Sequence, residues 1–203
     1  MKKHTVTKNS GFTLLELMIT LSVVALLATV GIPSVISFMQ QNRVIASTNE
    51  LISAFHVART EAIKLNQRVT ICESNDGATC AADGSWRDGW IVFIDSDGNL
   101  SGTGAACANN TSDCLLRIHE GYDDPMLTIE GEDDNSATAS AFTFTSRGLP
   151  KNVIGAERSG TFSVCIFDED DNVVASRAVL LGMSGRVRVS DNDAVIDCPA
   201  SPS

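Results

Sequence analysis

Three sets of side chains in this sequence stand where their chemistry needs an explanation. Glu16 opens an apolar run: from Leu17 to Asn42 there is no Asp, Glu, Lys or Arg. A charge inside hydrocarbon costs on the order of 3 kcal/mol, so such a carboxylate needs a partner. Near the other end stands Gly185-Arg186-Val187-Arg188. Alternate residues of a strand share a face, so Arg186 and Arg188 would point the same way. Two guanidiniums side by side grip phosphates. The third set is six cysteines, Cys72, Cys80, Cys107, Cys114, Cys165 and Cys198, all after the apolar run.

Several kinds of chemistry are disfavoured. There is no Cys-x-x-Cys, and only His56 and His119 lie beyond residue 11. That argues against zinc and against a thioredoxin-like redox site. No nucleophile elbow, phosphate loop or metal-binding His pair occurs. We expect no catalytic residue, no metal and no cofactor, and hence no enzyme. The loop Asp95-Ser96-Asp97-Gly98-Asn99-Leu100-Ser101 resembles the start of a calcium loop. Its glycine is misplaced for one, and the twelfth position is Ala106 rather than Glu, so a polar turn is the better reading.

An even number of cysteines beyond an apolar segment fits three disulfides in an oxidising compartment. Sequence leaves 15 pairings open. Short spacing favours Cys72–Cys80 and Cys107–Cys114, which leaves Cys165–Cys198. The chain has 15 basic and 25 acidic residues, a net −10. Without Lys2, Lys3 and Lys8 the balance is 12 to 25, or −13. A chain this acidic repels polyanions on average, so nucleic-acid contact needs a local basic patch.

The elements that must position these groups follow from periodicity. Phe12 to about Ile36 is long enough to cross a bilayer as a helix. The basic leader, residues 1–11, should remain cytoplasmic and place the rest across the membrane. Pro33 lacks an N–H to donate, so a kink or local melting is expected there. Farther on, Val44, Thr48, Leu51, Phe55, Ala58, Ala62 and Leu65 recur at steps of four and three. They form one helix face. It fits a coiled-coil seam or the inner face of a helix packed on a sheet, and the many strand-like runs that follow favour the sheet. Those runs are Arg68–Glu73, Gly89–Asp95, Leu115–His119, Met126–Ile129, Ala141–Thr145, Gly160–Phe167, Val173–Leu181 and Gly185–Val189. Gly, Asp, Asn and Ser clusters separate them, as in antiparallel sheets. The organisation expected is a leader over 1–11, a helix over 12–66 with about 12–36 transmembrane, and a β-rich domain over 67–203. The fold class is α+β.

The string GFTLLELMITLSVVALLATVGIP closely resembles the type IV pilin signature. That resemblance implies cleavage after Gly11 by a prepilin peptidase and methylation of the new N-terminus, Phe12. It makes Glu16 the assembly glutamate, which pairs with the Phe12 amine of a neighbouring subunit. Further along, Ala58–Ala62 reads ARTEA, Gly89–Asp95 reads GWIVFID, and Leu181–Val189 reads LGMSGRVRV. These segments resemble the FimT/GspH group of minor pilins and pseudopilins. The resemblance implies a pilin-like fold: a long membrane-spanning N-terminal helix packed on an antiparallel β-rich periplasmic domain. It also implies a bacterial inner-membrane location before assembly, and other pilins or pseudopilins as partners. In the FimT branch a Gly-Arg-x-Arg motif near the C-terminus is associated with DNA binding in natural transformation. That makes double-stranded DNA a partner and Gly185, Arg186 and Arg188 its contact. Two neutralised phosphates give a salt slope of only about −1.4 to −1.8, which is weak and non-specific. The resemblance implies a minor type IV pilus subunit for assembly or initiation, toward which the six cysteines and the Gly-Arg-x-Arg segment tilt it, with an H-type pseudopilin of a type II secretion system as the alternative.

Overall fold

The computed structural model describes residues 12–81, 84–100, 107, 113–134, 138–151, 158–192 and 195–198. It divides into two compact units, Met1–Met39 and Gln40–Ser203. One helix, α1 (Leu14–Leu65), contributes to both.

In the first unit α1 begins with a cap. Thr13 Oγ1 accepts the Glu16 N–H at 3.2 Å, the Thr-x-x-Glu arrangement that satisfies an orphan donor of the first turn. Beyond it the large apolar side chains stay uncovered: Leu14 is 76% and Leu26 71% exposed. Of the kink or local melting expected at Pro33, melting does not occur: α1 is unbroken through it. The missing N–H costs a single hydrogen bond, and the flanking turns hold the helical course.

In the second unit α1 acquires an inside. Val44, Thr48, Leu51, Phe55, Ala58 and Ala62 are each 2% exposed or less. They face sheets rather than a coiled-coil partner. Among the described residues the strands are β1 (Val69–Glu73), β2 (Gly89–Ile94), β3 (Leu115–Glu120), β4 (Leu127–Asp133), β5 (Ala141–Phe144), β6 (Pro150–Lys151), β7 (Gly160–Phe167), β8 (Val173–Leu181) and β9 (Val187–Ser190). They make two antiparallel sheets, ordered β3-β2-β1-β5-β6 and β4-β7-β8-β9.

Alternation explains the core. Val69 and Ile71 of β1, Phe142 and Phe144 of β5, Phe162 and Val164 of β7, and Val179 and Leu181 of β8 join the buried face of α1 in one cluster. Phe55 is its centre, with ring centroids 4.9 Å from Phe162, 6.1 Å from Trp86, 6.2 Å from Phe142 and 6.4 Å from Phe144. Trp86 belongs to a short 3-10 turn, Trp86–Asp88, that periodicity did not indicate. Its indole N–H donates to the Ala139 carbonyl at 2.8 Å, which removes the cost of burying that donor. The α+β class expected from the sequence therefore holds.

Candidate functional site

The N-terminal end exposes an acid. Gly11 lies outside the described residues. Phe12 is 81% exposed. Glu16 is exposed in the first turn of α1, where the positive end of the helix dipole favours a carboxylate. Its backbone N–H is used by Thr13, and its carboxylate makes no ion pair among the described residues. Thr13 was not singled out from the sequence, although its spacing from Glu16 carries the capping signal.

At the other end, β8 and β9 form a hairpin. Its turn closes by Gly185 N–H to the Gly182 carbonyl at 2.8 Å and Gly182 N–H to the Arg186 carbonyl at 2.9 Å. Gly185 has φ +71, which suits glycine. Val187 then packs against the core, so Arg186 and Arg188 face outward, and both are exposed. Arg188 pairs with Leu180, Leu180 with Thr161, and Thr161 with Glu132, one row across the outer face of this sheet. Among the described residues neither arginine forms an ion pair. Two nearby arginines are committed. Arg158 meets Asp134 at 2.8 Å and Arg177 meets Asp191 at 2.7 Å. Arg177 also shares the inner face with Val179, the face opposite Arg186 and Arg188.

Three disulfides brace the second unit: Cys72–Cys80, Cys107–Cys114 and Cys165–Cys198. The last ties the tail to the outer face of β7, where Ser163 Oγ also accepts the Asp197 N–H at 3.0 Å. That is the same sheet face that carries Arg188. At Asp95–Ser101 the carboxylates serve a turn. Buried Asp95 accepts from Thr70 Oγ1 at 2.8 Å and from the Gly98 N–H at 2.9 Å. Oxygens of Asp95, Asp97 and Asp113 lie within 4.8 Å of one another, and the last comes from outside the sequence motif. Asp113 Oδ1 itself accepts the Ser96 N–H at 3.2 Å.

Two further polar groups stand out. Glu73 is 1% exposed and its Oε1 has no partner. Burial, and then the charges of Glu130 and Asp88, push its pKa from 4.5 up to about 8. A groove of about 490 Å³ lies beside α1, lined in part by Arg43, Glu50, Tyr122 and Asp124. Arg43 pairs with Asp124 at 3.0 Å, and Glu50 accepts from the Tyr122 hydroxyl and meets His119 Nε2 at 3.1 Å.

The family model described as type II transport protein GspH matches residues 47–185, more than half of the chain. The chain belongs to the GspH family. A second model, the prokaryotic N-terminal methylation motif, matches residues 6–32. Together they make this GspH-family chain a pilin-type structural subunit of the minor pilin or pseudopilin kind, anchored by its N-terminal apolar helix. The family match ends at Gly185, so Arg186 and Arg188 lie just past it. Among solved structures, the type IV minor pilin FimU of Pseudomonas aeruginosa is 20% identical, covers 75% of this chain and 92% of its own, and has a TM-score of 0.48. The minor pseudopilin EpsH from the type 2 secretion system of Vibrio cholerae is 12% identical over 72% of this chain and 95% of its own, with a TM-score of 0.45. No curated protein sequence matches the chain significantly.

Proposed function

We propose that this GspH-family chain is a minor type IV pilin that enters its filament through Glu16 and touches double-stranded DNA non-specifically through Arg186 and Arg188. The observation that carries the reading is the pair of exposed arginines on one sheet face, free of carboxylate partners among the described residues. Arg158 and Arg177 differ, since each is engaged by an acid.

In this reading prepilin peptidase cuts after Gly11 and Phe12 becomes the methylated N-terminus. Residues 12–36 cross the bacterial inner membrane, and the domain from 67 onward is periplasmic. Cleavage leaves a positive amine, and Glu16 of one subunit neutralises the Phe12 amine of the next, which removes two uncompensated charges at once. An oxidising compartment agrees with three disulfides and no free cysteine among the described residues.

The family description favours a second reading, an H-type pseudopilin of a type II secretion system. Deleting the gene separates the two. The pilus reading expects loss of pilus display or of transformation with secretion intact, and loss of exoprotein secretion alone overturns it.

A further inference from the structure

Two tight turns from different sheets meet at the end of the second unit that carries Arg186. One is Thr145-Ser146-Arg147-Gly148, between β5 and β6, closed by Gly148 N–H to the Thr145 carbonyl at 2.7 Å. The other is Gly182–Gly185, between β8 and β9. Each ends on a glycine with positive φ, +74 at Gly148 and +71 at Gly185. The two glycines are in contact: a Cβ placed on Gly185 would stand 2.1 Å from the Gly148 carbonyl oxygen. Only glycine permits that approach.

A third element closes over the same spot. Arg59 of α1 places its Nε 3.1 Å from where a Cβ would sit on either glycine. That Nε is buried and has no hydrogen-bond partner among the described residues. Arg147 is exposed and directly precedes one contacting glycine; Arg186 is exposed and directly follows the other. None of the three arginines forms an ion pair among the described residues. The fold thus gathers Arg59, Arg147 and Arg186 from three elements onto one end of an otherwise acidic unit. In sequence they are far apart, and the Gly-Arg-x-Arg motif contains only one of them.

We infer that Arg147 is a third contact to the phosphodiester backbone of duplex DNA, held beside Arg186 by the Gly148–Gly185 contact, with Arg59 adding charge behind the turns. The inference rests on the DNA-contact reading above and adds a residue to it. The chemistry is phosphate recognition by guanidinium, with no base readout. Each phosphate neutralised contributes about −0.9 to the slope of log K against log salt, so three contacts, Arg147, Arg186 and Arg188, give about −2.7 where the motif alone gives about −1.8.

The test is a salt titration of binding between the detergent-solubilised full chain and a fluorescein-labelled duplex. Arg147→Ala should flatten the slope by about 0.9 and weaken binding about eightfold at 0.1 M salt. Arg147→Lys should restore most of the slope. Thermal melting should not change, because Arg147 is exposed. If Arg147→Ala leaves slope and affinity at wild-type values while Arg186→Ala plus Arg188→Ala abolishes binding, Arg147 is no contact: the inference falls and the motif reading stands. If the unaltered chain does not bind the duplex, both fall.

Discussion

The first and second units share one helix and treat it in opposite ways. Before Met39, α1 shows apolar side chains on every side: Leu15 is 68%, Met18 59%, Val24 60% and Phe38 65% exposed. From Val44 onward one apolar face is buried, to 2% exposure or less at Val44, Leu51, Phe55, Ala58 and Ala62. A helix apolar all round needs lipid or neighbouring helices around it, whereas a striped helix finds its partner within its own chain. Folding free energy should therefore reside in the second unit. The first should matter for where the subunit goes rather than for whether it folds.

Substitutions can break that contrast. The largest effect is expected at Phe55, the aromatic centre of the core. Phe55→Ala should destabilise by about 3–5 kcal/mol, read by urea unfolding of the full chain in detergent through Trp86 and Trp90 fluorescence. Leu27→Ala, 69% exposed in the first unit, should leave the same curve in place; a comparable shift would dissolve the distinction. Next comes the tail. Cys165→Ser with Cys198→Ser opens a loop of sequence separation 33 and should cost about 2–4 kcal/mol on the same assay.

Another effect sharpens the contrast through pH. Glu73 is held protonated by burial, with a folded pKa of about 8 against 4.5. Below about pH 4.5 both folded and unfolded chains keep this proton, and no penalty exists. As pH rises toward 8 the unfolded chain releases it and the folded chain does not, so stability falls across that window. Glu73→Gln should remove that fall and gain up to about 5 kcal/mol at pH 8. An unchanged pH profile would mean that Glu73 is ionised in the fold. The smallest effect on stability is expected at Arg186 and Arg188. Replacing both with Ala should shift melting by less than about 0.5 kcal/mol equivalent while removing duplex retardation; retained retardation would sink the DNA reading.

How legible these features were depends on how local their causes are. The core face of α1 and most strands could be read from steps of four and three and from alternation. Each depends on residues a few positions apart. At Pro33 the helix does not melt, because a single forfeited hydrogen bond does not break a helix supported on both sides. The two-residue β6 has no period to read. Trp86 is buried by a short turn whose one clear need, a carbonyl for its indole, is met by Ala139, 53 residues away. The basic end shows the same limit. Alternation places Arg186 and Arg188 on one face, but nothing local says that Arg147 adjoins them, because the joining contact is between two turns of different sheets. Equally, the acids that engage Arg158 and Arg177 stand 24 and 14 residues away.

The central claim is that the first unit, through Glu16, takes the subunit into a filament. The most direct measurement compares Glu16→Ala with the unaltered chain in membrane and sheared-filament fractions. The account predicts a variant processed to begin at Phe12 and present in the membrane at normal level, but missing from the filament fraction. Glu16→Ala found in filaments at the normal ratio would contradict it.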